Sequence, residues 1–135
     1  GPGWSRHARF HPWVRASVAG EGIWGKRYPL ALACSKIALG LLMKQMPETT
    51  TTRSFEIPAT GVFMLAERTD DHQALFDEGI EAEFFGNELE LKEKIIFYLK
   101  HDGVREKIAA AGRARCLQSG YHSREQLRRV LDRAA

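Results

Sequence analysis

In the stretch TTTTRSFEIPATG, Thr49–Gly61, a run of four threonines, an arginine and a glutamate precede a glycine and the apolar run VFML. Hydroxyls and a guanidinium donate hydrogen bonds to phosphate oxygens, and a carboxylate accepts them from sugar hydroxyls. Arg53–Ala59 is expected to start a helix capped by Thr51 or Thr52. The first amides of such a helix lack internal acceptors and, with the helix dipole, attract an anion. Thr51, Thr52, Ser54 and Arg53 add donors there, which suits a diphosphate, and Glu56 lies one turn further in, where the two hydroxyls of a ribose would reach it. Pro58 shortens or kinks the helix, and Gly61 lets the chain turn into the next strand. A second account needs no ligand: a Thr-rich loop that caps a helix, Glu56 paired with Arg53 at the surface, and Phe55 and Ile57 in the core. The residues alone leave both accounts open.

Other candidates are weaker. His7 and His11 are four apart, but Pro12 interrupts a helix through them and two ligands are too few for a metal. His72, in ERTDDH, has the chemistry of a base, yet a short surface helix is the expected setting. Trp4, Trp13 and Trp24, scattered among arginines, suit either base stacking or a face that a partner buries.

The elements that would position these groups alternate. Apolar runs at Ile37–Leu42, Val62–Leu65 and Glu81–Phe85 have the character of parallel strands buried on both faces, with a weaker strand expected near Val14–Ala19. Helices are predicted over Arg27–Ser35, over Asp71–Phe76 with Thr69 or Asp70 as cap, and over Glu88–His101 with Leu91, Ile95, Ile96 and Leu99 on one stripe. Two more follow, Val104–Ser119 and Ser123–Ala134, the last with a Ser123/Gln126 capping box and with Leu127, Val130 and Leu131 inward. This order predicts an α/β fold with a Rossmann-like parallel sheet and a ligand at the carboxyl ends of its strands.

With 135 residues, 44% of them hydrophobic and 27% charged, the chain reads as one folded domain over 1–135, residues 1–3 having the look of a tag remnant. The net charge of +3 and the arginines near both ends keep a polyanion partner open, although a solvated helix face explains the C-terminal set more simply. Cys34 and Cys116 have no metal or redox spacing, which fits a reducing compartment. No apolar run reaches the length of a membrane span, so the expected location is cytoplasmic, with peripheral membrane attachment as the alternative.

The motifs T-x-R-x-F-E-x-P-A-x-G from Thr51, L-F-x-x-G-x-E-A from Leu75 and R-x-x-I-A-x-x-G-R from Arg105 together resemble the C-terminal domain of group 1 glycosyltransferases, in particular the spore-maturation-protein branch. The resemblance covers roughly Tyr28–Arg124. It implies the C-terminal half of a GT-B enzyme that holds a nucleotide-sugar donor such as a UDP-sugar. The acceptor site and any catalytic base would then lie in an N-terminal domain, and the isolated chain would be inactive. It also implies that Glu56 grips the ribose, and that Glu48, eight positions earlier, contacts the donor sugar. No Asp-x-Asp cluster is present, so no metal or other cofactor is expected; helix amides and Arg53, with Arg6 or Arg9, would balance the diphosphate charge. Nucleic acid is not an expected partner. The readings kept beside this one are a non-catalytic α/β interaction module and a basic polyanion-binding module.

Overall fold

Three apolar segments form a parallel sheet in the computed structural model, which describes Arg6 and residues 8–18, 20 and 22–134. The chain divides into two units, residues 1–31 and 32–135. In the first, a single 3-10 turn, Ala8–Phe10, leads into helix α1, Pro12–Ala16. The strand expected near Val14–Ala19 is therefore corrected: Val14–Ala16 are helical and Ala19 lies outside the described residues. Pro12 at the head of α1 accounts for this, since its fixed φ suits a first helical turn and its missing N–H costs nothing there. Trp13 and Trp24 are exposed, and His11 meets the Trp13 ring edge-on at 5.9 Å; Trp4 and His7 lie outside the described residues.

Helix α2, Arg27–Ala33, precedes the sheet. The order that follows is β1 (Ile37–Gly40), α3 (Arg53–Ala59), β2 (Phe63–Glu67), α4 (Asp70–Leu75), β3 (Glu83–Phe85), α5 (Glu88–Lys100), α6 (Asp102–Gln118) and α7 (Ser123–Ala134). The sheet order is β1-β2-β3, all parallel, with Ile37 opposite Phe63 and Glu67 opposite Phe85. Side chains alternate across a strand, so β2 feeds two cores. Met64 and Ala66 pack with Ile57, Phe76, Ala82, Phe84 and Cys116, while Phe63 and Leu65 pack with Phe85, Tyr98, Ile108 and Ala109.

Helix α6 reaches both cores, and glycine is what lets it approach. A Cβ on Gly112 would lie 2.3 Å from the Glu81 carbonyl oxygen and 3.4 Å from Pro58 Cβ. Arg105, buried in the first turns of the same helix, donates to the Tyr98 carbonyl at 2.8 Å and pairs with Asp102, tying α6 to the last turns of α5. The R-x-x-I-A-x-x-G-R motif is thus a packing motif. Gly61, at φ +78°, makes the tight entry into β2 that its position before the apolar run predicts.

Two expected helix faces are corrected. On α5 the inward stripe is Leu91, Ile95 and Tyr98, whereas Ile96 and Leu99 are nearly half exposed. On α7, Leu127, Val130 and Leu131 are about 60% exposed, and the His122 Nδ1 accepts the Arg124 N–H at 3.2 Å while Gln126 bonds the Gly120 carbonyl instead of completing a capping box.

The outer edge of β3 is closed by cations. The Phe84 carbonyl accepts from Lys94 Nζ at 2.6 Å and from Arg68 Nη2 at 3.2 Å. Arg68 also bonds both oxygens of Glu78 and both of Glu90, and Lys94 reaches Glu83 at 2.5 Å. Arg68 and the Gly86 N–H hold the Glu90 carboxyl well below its ordinary value of 4.5. Glu78 is lowered too, by Arg68 first and against an opposing contribution from burial.

Two outcomes are expected. Gly112→Ala lowers stability by about 3 kcal/mol in urea unfolding, because backbone must move to admit the methyl. Glu78 and Glu90 take up protons more readily when unfolded, so their contribution is full above the ordinary value of 4.5 and is lost as pH falls below it. Arg68→Met is accordingly less stable than wild type at neutral pH, and its stability falls less between about pH 5 and about pH 3.

Candidate functional site

Polar groups collect at the carboxyl ends of the strands, where β1 runs into a loop over residues 41–52 and β2 ends at Glu67. The Glu67 carboxylate accepts the Leu42 N–H at 2.8 Å and pairs with Lys44. Burial would raise this carboxyl, but the bonds from Lys44 and Leu42 outweigh it and the net shift is downward. The loop is fastened again further on: Thr49 donates to Asp71, and Thr69 donates to the Thr49 carbonyl at 2.8 Å. Thr69 is also the cap of α4, accepting the His72 N–H at 3.0 Å.

Between these fastenings, Thr52 is the N-cap residue of α3, and the residue before it, Thr51, bonds the first amides. The Thr51 Oγ1 accepts the Arg53 N–H at 3.2 Å, its carbonyl accepts the Ser54 N–H at 3.0 Å, and its own N–H donates to Ser54 Oγ at 3.1 Å. Thr52 makes no side-chain cap bond, and its carbonyl accepts the Phe55 and Glu56 amides at 3.1 and 3.0 Å. All four amides from Arg53 to Glu56 therefore have acceptors within the protein. The expectation that free amides at this helix mouth bind an anion is corrected, because the preceding turn and the Thr51 hydroxyl satisfy them.

What faces outward is a set of side chains. Thr52, Arg53 and Glu56 are exposed, and among the described residues neither Arg53 nor Glu56 forms an ion pair, so the surface pair between them is not seen. Spacings of three and four put Glu56 on the same side of α3 as Arg53 and Thr52. Glu48 is half-buried, and its Oε2 accepts the Met43 N–H at 3.1 Å, which shapes its own loop. Ser54 turns the other way, 2% exposed, with Oγ 2.7 Å from His72 Nε2. Arg6 and Arg9 are exposed residues of the first unit.

His72 is the residue whose setting the sequence conceals. It is 1% exposed, with Nδ1 2.7 Å from the Glu67 carbonyl and its ring stacked on Phe84 at 5.5 Å and 9°. The available signal was the Thr69 cap, which places His72 in the first turn of α4, beside the strand end. Among the described residues, no group of three or more His, Cys, Asp or Glu is placed to hold a metal ion, and no helix is long and apolar enough to cross a membrane.

A parallel sheet covered by helices on both faces, with its polar loops at the strands' carboxyl ends, is a Rossmann-like α/β domain of the glycosyltransferase kind. The chain belongs to the glycosyl transferase-like family, whose model matches residues 1–132. That match supports its assignment as the C-terminal domain of a group 1 glycosyltransferase. No curated protein and no solved structure matches the chain.

The two threonines are separable by experiment. Thr51→Ala is expected to cost about 1 kcal/mol in chemical unfolding, the usual loss for a helix-capping bond. Thr52→Ala, whose hydroxyl makes no cap bond, should change stability by less than about 0.5 kcal/mol.

Proposed function

We propose that this chain is the donor-binding part of a glycosyltransferase, holding a nucleoside-diphosphate sugar against the first turn of α3. The observation that carries this reading is the pair Arg53 and Glu56, solvent-exposed and without an ion-pair partner among the described residues, at the carboxyl rim of the sheet in a chain of the glycosyl transferase-like family. Arg53, with the Thr51 and Thr52 hydroxyls, supplies donors to the diphosphate. Glu56 accepts from the ribose hydroxyls, and Glu48 stands on the side of the donor sugar. With the α3 amides engaged internally, side chains carry the electrostatic work, which raises the share borne by Arg53. No metal or other cofactor is assigned. The acceptor and the chemical step belong to an N-terminal domain, a cytoplasmic setting suits the chain, and the isolated chain is expected to transfer no sugar.

Titration with UDP, GDP and ADP, followed by amide chemical shifts, tests the reading. One of them should perturb the signals from Thr51 to Glu56, and Glu56→Ala should weaken that nucleotide by roughly ten- to a hundredfold, the loss expected for a hydrogen bond to a charged group. Shifts confined to the arginines near the chain ends, or binding unaffected by Glu56→Ala, would favour a polyanion surface instead.

A further inference from the structure

We infer that Ser54 and His72 form a positioning pair that sets where the binding face of α3 stands relative to the end of β2. This rests on the donor-binding reading for its functional meaning, though not for its geometry. A hydroxyl 2.7 Å from an imidazole nitrogen resembles a nucleophile and its base, but at 2% and 1% exposure neither group is open to a substrate. The proton directions follow from the partners. A carbonyl only accepts, so Nδ1 carries the hydrogen toward Glu67 and leaves Nε2 to accept from Ser54. Ser54 Oγ in turn receives the Thr51 N–H at 3.1 Å. A continuous series of bonds thus runs from the Thr51 amide, through Ser54 and His72, to the last residue of β2.

The imidazole end of that series is held by three elements. Phe84 of β3 fixes its plane, Glu67 of β2 fixes its Nδ1, and the Thr69 hydroxyl fixes its backbone N–H at the start of α4. On the other side stands α3, where Ser54 sits between the two outward residues, one after Arg53 and two before Glu56. Two apolar side chains would fill the same space without fixing a direction, whereas a buried polar series tolerates one arrangement because any other leaves a polar atom unsatisfied. Binding groups placed an ångström off lose much of their effect, so holding this turn in register is a functional requirement.

Three substitutions separate the arms. Ser54→Ala deletes the hydroxyl; His72→Asn keeps an amide donor near the Nδ1 position and loses the reach to Ser54; His72→Gln reaches Ser54 and gives up the bond to Glu67. The probe is whichever of UDP, GDP and ADP wild type binds most tightly, measured at a temperature where every variant is folded. Ser54→Ala and His72→Asn should each raise Kd by about tenfold and speed hydrogen exchange at the Thr51 amide, while His72→Gln, which keeps Ser54 bonded but loses the tie to β2, should weaken binding and leave Thr51 exchange within about threefold of wild type. Equal Kd in all variants, with only the melting temperature lowered, would show a purely structural pair and overturn the inference. Should wild type bind none of the three nucleotides, the donor reading fails, and Thr51 exchange decides: unchanged exchange in Ser54→Ala and His72→Asn overturns the pair. If a His72 variant does not fold, Ser54→Ala, which removes a single oxygen, is sufficient to separate these outcomes.

Discussion

β2 is buried on both faces, and that constraint organises the rest of the domain. A strand enclosed this way can place polar groups only where it emerges, and β2 emerges through Glu67, Arg68 and Thr69 in succession. Each fastens a different neighbour. The Glu67 carboxylate holds the loop after β1 and its carbonyl holds His72; Arg68 gathers Glu78 and Glu90 and covers the Phe84 carbonyl; Thr69 ties down Thr49 and starts α4. The loop that leads into the candidate binding residues of α3 is therefore supported by the end of the central strand.

The three sequence motifs divide along the same line between support and exposure. In R-x-x-I-A-x-x-G-R, Arg105 bonds a backbone carbonyl, Ile108 and Ala109 fill a core, and Gly112 gives way to the Glu81 carbonyl. In L-F-x-x-G-x-E-A, Phe76 and Ala82 are core residues, and the Leu75 carbonyl accepts from Arg115 and Tyr121, each at 3.1 Å. T-x-R-x-F-E-x-P-A-x-G is split by its own helix, with Ser54, Ile57 and Pro58 turned inward and Arg53 and Glu56, both charged, turned outward together. The chemistry thus narrows to one side of one short helix.

β1 and β2 were legible because runs such as VFML are apolar without interruption and are bounded by turns, a pattern that needs no knowledge of neighbours, whereas β3 was read from EAEFF, which Glu83 interrupts. The choice of cap at α3 was legible to within one residue, Thr51 or Thr52. The phases of α5 and α7 were not, since an apolar stripe records which side prefers burial and not whether anything covers it; Leu127, Val130 and Leu131 stay open to solvent within this chain. Nor were the internal acceptors for the α3 amides, which depend on the backbone of the preceding turn. His72 escaped for a related reason. Its burial comes from Ser54, Glu67 and Phe84 converging from three different elements, and no local pattern around residue 72 encodes that meeting.

The cation-covered carbonyl on β3 limits how copies of this protein can join. Edge-to-edge pairing between sheets needs outward backbone groups that are free, and here Lys94 and Arg68 already take the Phe84 carbonyl. A strand added on that side would first have to displace two charged side chains from the Phe84 carbonyl.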